Sequence, residues 1–159
     1  MELSQALYTT RAMRRVTTDP IPDEIMAKLL DAAVRAPSGG NTQKWRFLIL
    51  TDQAKKTALQ KIYSEALTDL NATQYKPMMD LIANGDPNDP EVIQVKKTYA
   101  SGRWLADNLD KVPTLLFAWG KPNGESSIFP ALWSLQLAAT AEGIGTSLTT
   151  LLFKKHTQQ

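Results

Sequence analysis

The apolar positions of the chain follow two patterns. One is a spacing typical of helices, and the other is the short continuous run typical of buried strands. Leu29, Leu30 and Ala33, for example, are spaced so that they share one side of a helix. The same spacing predicts helices over residues 3–7, 25–34, 53–75, 91–108 and 128–142. Short apolar runs bounded by turn-forming residues predict buried strands over residues 45–50, 112–119 and 145–153.

Turn-forming residues separate these elements. Two prolines mark a turn between Thr17 and Pro22, and the sequence Asn-Gly-Asp-Pro-Asn-Asp-Pro predicts a mobile loop over residues 84–90. Because the gaps between the strands are too long for hairpins, the pattern favours an α+β or α/β layer fold in which helices dominate. Residues 76–103 could form a lid over a site.

The composition agrees with one soluble domain. The 159 residues are 43% hydrophobic and 21% charged, with a mean hydropathy of -0.27, which is close to average globular usage. A chain of this length buries about two thirds of its unfolded surface without a disulfide or metal. No apolar run resembles a signal peptide or a membrane span. We therefore expect a single cytoplasmic domain over residues 1–159.

Residue counts disfavour several chemistries. The chain has no cysteine, and His156 is its only histidine, which argues against disulfides, zinc sites and a Ser-His-Asp triad. The 18 basic and 16 acidic residues give a net charge of +2, too balanced for a nucleic-acid footprint. We expect no bound metal, no nucleic-acid partner and no membrane partner.

Three arginines form the first candidate site. Arg11, Arg14 and Arg15 fall within five positions, directly after the first predicted helix. Guanidinium groups bind phosphates and other anions through paired hydrogen bonds, so the cluster could hold an anionic ligand. Taken alone, it is more simply an exposed basic turn, because short arginine clusters are common.

The second candidate is the segment A-P-S-G-G-N-T-Q-K-W at residues 36–45, between a helix and a strand. Its small residues expose backbone N–H groups, and Ser38, Asn41 and Gln43 add short polar side chains. Such a loop can lie flat against a planar heterocycle. An ordinary turn explains it equally well, because the segment lacks both glycine-rich phosphate motifs.

The third candidate is the segment G-I-G-T-S-L-T-T at residues 143–150. It combines a glycine that stops a helix with hydroxyl residues at the start of the third predicted strand. A helix cap and an edge strand explain this pattern as well as a binding site does.

Taken in order, these stretches resemble the nitroreductase family of FMN-dependent oxidoreductases. Members usually carry an arginine cluster and a D-P-(V/I)-P turn, matched by residues 11–15 and by 19–22. They continue with A-P-S-(G/S)-x-N-x-Q-x-W, matched by residues 36–45, then a V-P strand at Val112 and an Ala-rich helix ending in Gly-Ile-Gly-Thr. The resemblance covers most of the chain. It implies an α+β, nitroreductase-like three-layer fold with a central mixed or antiparallel sheet.

The resemblance also implies which residues bind FMN. Arg11 and Arg14 would hold its phosphate, ribityl chain or pyrimidine edge, Arg14 would tune the flavin, and Ala12 replaces the commoner serine. The implied FMN-binding residues are Arg11, Ala12, Arg14, Arg15, Pro37, Ser38, Gly39, Asn41, Gln43, Leu148, Thr149 and Thr150. The last three would come from the other subunit of a homodimer. Family chains usually continue past the equivalent of Gln159 to another basic phosphate ligand, which would lie beyond residues 1–159.

The implied reaction passes hydride from NADH or NADPH through FMN to a nitroaromatic, a quinone or a similar small electron-poor substrate, in ping-pong order. A guanidinium near the ring would stabilise the negative charge that arrives with the hydride, so no catalytic side chain is required. One alternative is a specialised relative, a reductive dehalogenase or a flavin-fragmenting enzyme, with residues 76–103 as the distinguishing region. Another is a flavin-binding protein without turnover.

Overall fold

The computed structural model describes residues 1–152, which form a mainly helical structure with a small antiparallel sheet. Within these residues the α-helices are Leu3–Thr9 (α1), Asp23–Val34 (α2), Gln53–Ala72 (α3), Lys76–Asn84 (α4), Pro90–Asn108 (α5) and Glu125–Ala141 (α6). The strands are Arg46–Leu50 (β1) and Leu115–Trp119 (β2), and short 3-10 helices cover Gly39–Asn41 and Leu109–Lys111. The described residues divide into two compact units, 1–51 with 113–147 and 52–112 with 148–152.

The first unit is built around α6, an apolar helix that packs against α2 and α1. Its buried core combines Leu29 and Ala33 of α2, Leu135 and Ala139 of α6, and Trp45 at the start of β1. The alanines let the two helix backbones approach closely, and the larger side chains fill the remaining space. Because α6 is packed against this core, the positions of both its ends are fixed within the first unit.

The sheet of the first unit has one covered and one open face. β1 and β2 pair antiparallel, with Arg46 opposite Trp119. Side chains alternate between the faces, so Phe47 and Leu116 pack on the helical core while Leu48 and Trp119 lie on the other face and are exposed.

The second unit is helical, with α3 packed against α5 and against the 3-10 helix Leu109–Lys111. Helices α3 and α5 begin at side-chain caps: the Asp52 carboxylate accepts a hydrogen bond from the Lys55 N–H, and Asp89 accepts one from the Glu91 N–H. Leu67 of α3 is buried in this unit. No helix within residues 1–152 is long and apolar enough to cross a membrane.

The α+β prediction is confirmed, and the predicted helices and first two strands are present with shifted ends. The prediction of a third strand is wrong for residues 145–152, because Thr146 makes one isolated bridge with Ala12 and no ladder follows. A strand needs a neighbouring strand, and the chain beside Thr146 continues in irregular structure. Phe153, the last residue of that prediction, lies outside the described residues.

Candidate functional site

The arginine cluster follows α1 and is held against the residues that follow α6. The Met13 N–H donates to the Thr146 carbonyl at 2.8 Å, and Ala12 and Thr146 form a parallel bridge. A hydrogen bond of 2.9 Å joins the hydroxyls of Thr10 and Thr140, which are 130 residues apart in the chain. Two of the three predicted segments therefore lie side by side in the first unit.

The three arginines have different environments. The Arg11 guanidinium donates to the carbonyls of Tyr8 and Thr10, both at 2.9 Å, and so closes the C-terminal end of α1. Arg15 is exposed. Arg14 is half-buried and forms no hydrogen bond or ion pair with any other residue of the described chain. Arg14 is therefore the arginine best prepared to receive an anion.

The predicted loop after α2 is shaped by its own polar side chains. Ser38 Oγ accepts the Gln43 N–H at 3.0 Å, and the Ser38 carbonyl accepts the Asn41 N–H at 2.8 Å. The Gln43 side-chain amide donates to Asn41 Oδ1 at 2.9 Å. The Asn41 amide nitrogen and the Gln43 side-chain oxygen remain for a ligand.

The backbone of this loop is unusual. Gly40, Asn41 and Gln43 have φ values of 60°, 50° and 48°, all in the left-handed region. Gly and Asn adopt it readily, whereas a residue such as Gln43 pays about 1–2 kcal/mol for it. Strained positions of this kind cluster at ligand sites, where the surrounding hydrogen bonds hold them in place. The loop is preformed.

The loop is anchored at the start of α6, far from the arginines. The Gly39 N–H donates to Ser127 Oγ at 3.0 Å. Thr10, just before the cluster, instead bonds Thr140 near the other end of α6. The rise per residue of an α-helix puts Ser127 and Thr140 about 20 Å apart. In one chain, the loop and the arginine cluster thus occupy opposite ends of α6.

Each end of α6 carries a small cavity. The cavity beside the loop has a volume of about 170 Å³ and includes Lys44 and Lys121 in its lining. The cavity beside the arginine cluster, about 240 Å³, is lined by Arg11, Gly145 and Thr146 among others. Sites for ligands of cofactor size usually exceed about 300 Å³, so each cavity is too small to enclose one.

The last three residues of the third predicted segment belong to the second unit. Leu148, Thr149 and Thr150 are exposed and belong to no helix or strand. Within that unit, Thr149 Oγ1 lies 3.1 Å from the hydroxyl of Tyr63 on α3 and accepts the Leu151 N–H at 3.3 Å.

The predicted site residues are all at the surface. Arg14 and Ser38 are half-buried, and the other ten predicted FMN-binding residues, including Pro37 and Gly39, are exposed. Sequence reasoning missed Ser127 and Tyr63, which hold two of the predicted segments. Neither carries a sequence signal of its own: Tyr63 is indistinguishable from the apolar side of its helix, and Ser127 from the first turn of α6.

Comparison with known proteins decides the family. The family model described as the Nitroreductase family matches residues 7–159. The chain belongs to the nitroreductase family. The resemblance drawn from the arginine cluster, the polar loop and the end of α6 is therefore confirmed, and with it the broad class of oxidoreductase.

Individual relatives of this nitroreductase-family chain have several activities. An NADH dehydrogenase from Thermus thermophilus is 38% identical over 61 residues, covering 38% of this chain and 30% of that protein. A 5,6-dimethylbenzimidazole synthase from Rhodospirillum rubrum is 27% identical over 146 residues, 89% of this chain and 65% of that protein. The fold is similar to that of an iodotyrosine deiodinase solved with FMN and 3-iodo-L-tyrosine, with a TM-score of 0.65 at 24% identity over 91% of this chain and 72% of the other. The chain thus spans between 30% and 65% of the length of these two curated relatives.

Proposed function

We propose that this chain binds FMN and uses it to pass hydride from NADH or NADPH to a nitroaromatic, a quinone or a similar small electron-poor substrate. Arg14 is the observation that carries the proposal. It is half-buried, has no hydrogen-bond or ion-pair partner among residues 1–152, and lies in the segment fixed by the Met13–Thr146 hydrogen bond. A cation held in this way is suited to an anionic ligand.

The donor set fits FMN. The guanidinium of Arg14 suits a phosphate or the electron-rich pyrimidine edge of a flavin. The amide groups left over on Asn41 and Gln43 suit the ribityl hydroxyls or the ring edge, and Gly40 in the loop brings no side chain that would keep a planar ring away. The cation of Arg14 and the amide groups of Asn41 and Gln43 thus match the anionic and the polar parts of this cofactor.

When bound, FMN supplies the hydride chemistry. The chain's own residues then bind and orient it, and the fixed positive charge of Arg14 favours states with more negative charge on the ring. No side chain is needed as a nucleophile or proton donor, in agreement with a site made of arginines, amides and hydroxyls.

We further propose that the site is completed by a second copy of the chain. The loop and the arginine cluster of one chain lie at opposite ends of α6, and each has an open cavity too small for the cofactor. Two chains related by a twofold axis could place the loop of one against the arginines of its partner. This changes the sequence interpretation, in which the loop and the arginines came from one subunit.

The proposal is tested by the visible spectrum of the purified protein with added FMN, followed by anaerobic titration with NADH and NADPH. We expect FMN to bind and to be bleached by one of the two nucleotides. Arg14→Ala should weaken FMN binding about ten- to hundredfold, the loss expected for one charge-assisted hydrogen bond. Arg35→Ala, which removes an exposed arginine paired with Asp31 on α2, is the matched control and should leave FMN affinity unchanged.

A protein whose FMN spectrum stays that of free FMN would refute the proposal. Bound FMN that neither nucleotide reduces would point instead to a flavin-binding protein without turnover.

A specialised relative is the second candidate, and the match to a 5,6-dimethylbenzimidazole synthase over 89% of this chain favours it. Such an enzyme would consume its own flavin or remove halogen from a substrate. Aerobic incubation of the reduced protein, followed by chromatography of the flavin, separates the two functions. Loss of FMN supports the flavin-fragmenting reaction, and intact FMN recovered after many turnovers rules that reaction out.

A further inference from the structure

Tyr63 makes a long-range polar contact that its place in an apolar helix face does not require. Its side chain is buried, with the residue 6% exposed, and its hydroxyl lies 3.1 Å from Thr149 Oγ1, 86 residues away in the chain. Both residues belong to the second unit. A buried phenol needs a hydrogen-bond partner, and an exposed threonine in an irregular segment provides it.

The hydroxyl pair holds Thr149, the middle residue of the segment 148–150. This segment has no ladder or helix to hold it, and Thr149 Oγ1 also accepts the Leu151 N–H at 3.3 Å. Because threonine is branched at Cβ, fixing its hydroxyl also fixes χ1 and constrains the backbone that carries it. Tyr63 therefore constrains the backbone on either side of Thr149.

Those N–H groups are available to a ligand. The backbone N–H groups of Thr149 and Thr150 form no hydrogen bond with any residue of the described chain, and both residues are exposed. Donors held in advance cost no rearrangement when a ligand arrives, which is why fixed N–H groups bind developing negative charge well.

We propose that Tyr63 is a positioning residue for the flavin: through the Thr149 hydroxyl it holds the backbone N–H donors of Thr149 and Thr150 towards the ring. This inference rests on the proposed function, together with the expectation from the sequence that residues 148–150 approach FMN. Tyr63 itself does not touch the cofactor. Its effect reaches the flavin only through Thr149.

The test compares single-hydroxyl variants. Tyr63→Phe keeps the buried ring, Thr149→Val keeps the branched shape, and Thr149→Ser keeps the hydroxyl. We expect the first two to weaken FMN binding about two- to tenfold, the worth of one hydrogen bond, and to shift the FMN midpoint potential to more negative values. Thr149→Ser should retain the wild-type values. Tyr75→Phe, which removes the hydroxyl of an exposed tyrosine in the same unit, is the matched control.

A double variant tests whether the two substitutions act through the same hydrogen bond. Since Tyr63→Phe and Thr149→Val remove the same hydrogen bond, their combination should weaken FMN binding no more than either alone. If the wild type binds FMN but both single variants keep its affinity and midpoint potential, the positioning role is refuted and the proposed function stands, even if both variants unfold at lower temperature. If the wild type does not bind FMN, the proposed function fails first.

Discussion

Gly145 lies at the closest approach between the arginine segment and the residues after α6. A Cβ atom at this position would come within 2.9 Å of Met13 Cβ and 3.3 Å of Met13 Cγ. Met13 cannot move away freely, because its N–H is bonded to the Thr146 carbonyl. Only glycine therefore allows the two segments to pair.

Gly145→Ala should lower the free energy of unfolding by about 1–3 kcal/mol, the usual cost of overpacking. It should also weaken FMN binding. To make room for the added Cβ atom, Met13 must move, and this movement displaces the backbone beside Arg14. Urea denaturation and flavin titration measure the two effects.

The matched control is Gly102→Ala, at a glycine inside α5 where an added Cβ meets nothing within 4 Å. A helical glycine with free space should become more stable as alanine, by about 0.5–1 kcal/mol. Equal losses of stability in the two variants would contradict the contact argued for Gly145.

The role of a residue was predictable from the sequence where it depends on neighbouring residues alone. The partners of individual side chains were not predictable. Gly143 was predicted to stop its helix, and it does so with a φ of 77°, donating to the Thr140 carbonyl, while the Ile144 N–H reaches Ala139. That role depends only on neighbours in sequence. The use of Arg11 to close α1 depends on a side-chain conformation that no residue pattern specifies.

Among the elements, the long ones were predictable and the short ones were not. Periodicity located α2, α3, α5 and α6, because each repeats its apolar positions over several turns. Helix α4 was not predicted, since its nine residues give too short a pattern next to the glycine and proline that follow. The predicted third strand failed because strand formation depends on a partner that the sequence does not reveal.

Helix α6 carries an apolar stripe that residues 1–152 leave exposed. Phe129 and Trp133 are one turn apart and each 44% exposed. Exposed aromatic residues grouped in this way are typical of protein interfaces. In the proposed dimer this stripe would be covered by the partner.

Trp133→Glu should therefore convert the dimer to a monomer, because burying a carboxylate without a partner at an interface is unfavourable. Sedimentation velocity measures the change. Ile93→Glu, at an apolar residue that is 38% exposed on α5, is the control and should leave the assembly intact. A wild-type chain that sediments as a monomer in the presence of FMN would rule out the dimer.

At the scale of the whole molecule, the sequence predicted that the arginine segment and the polar loop share a site within one chain, whereas the structure places them at opposite ends of α6. The arginine segment and the polar loop lie close together in the sequence, so one chain seemed sufficient to supply both. The packing of α6 separates them, because Thr10 is bonded to Thr140 at one end of the helix and Gly39 to Ser127 at the other. Such a separation follows from tertiary packing, which the residue pattern does not encode locally.

Mixing two defective variants tests this division directly. Arg14→Ala removes the proposed phosphate or ring ligand, and the double variant Ser38→Ala/Asn41→Ala disrupts the loop. If each site takes its loop from one chain and its arginine from the other, a mixed dimer contains one doubly damaged site and one intact site. After unfolding and refolding of an equal mixture, about a quarter of all sites should then bind FMN with wild-type affinity, as random pairing in a twofold dimer requires.

If each site is instead built within one chain, every site in the mixture carries one defect, and no wild-type affinity appears. The measurement is a flavin fluorescence titration of the refolded mixture, with each variant refolded alone as the control. Because both outcomes presuppose that the wild type binds FMN, the experiment examines the architecture of the site separately from its cofactor. Recovery of wild-type affinity would show that each site takes its loop from one chain and its arginine from the other. Helix α6 would then be the element that keeps the two apart within one chain.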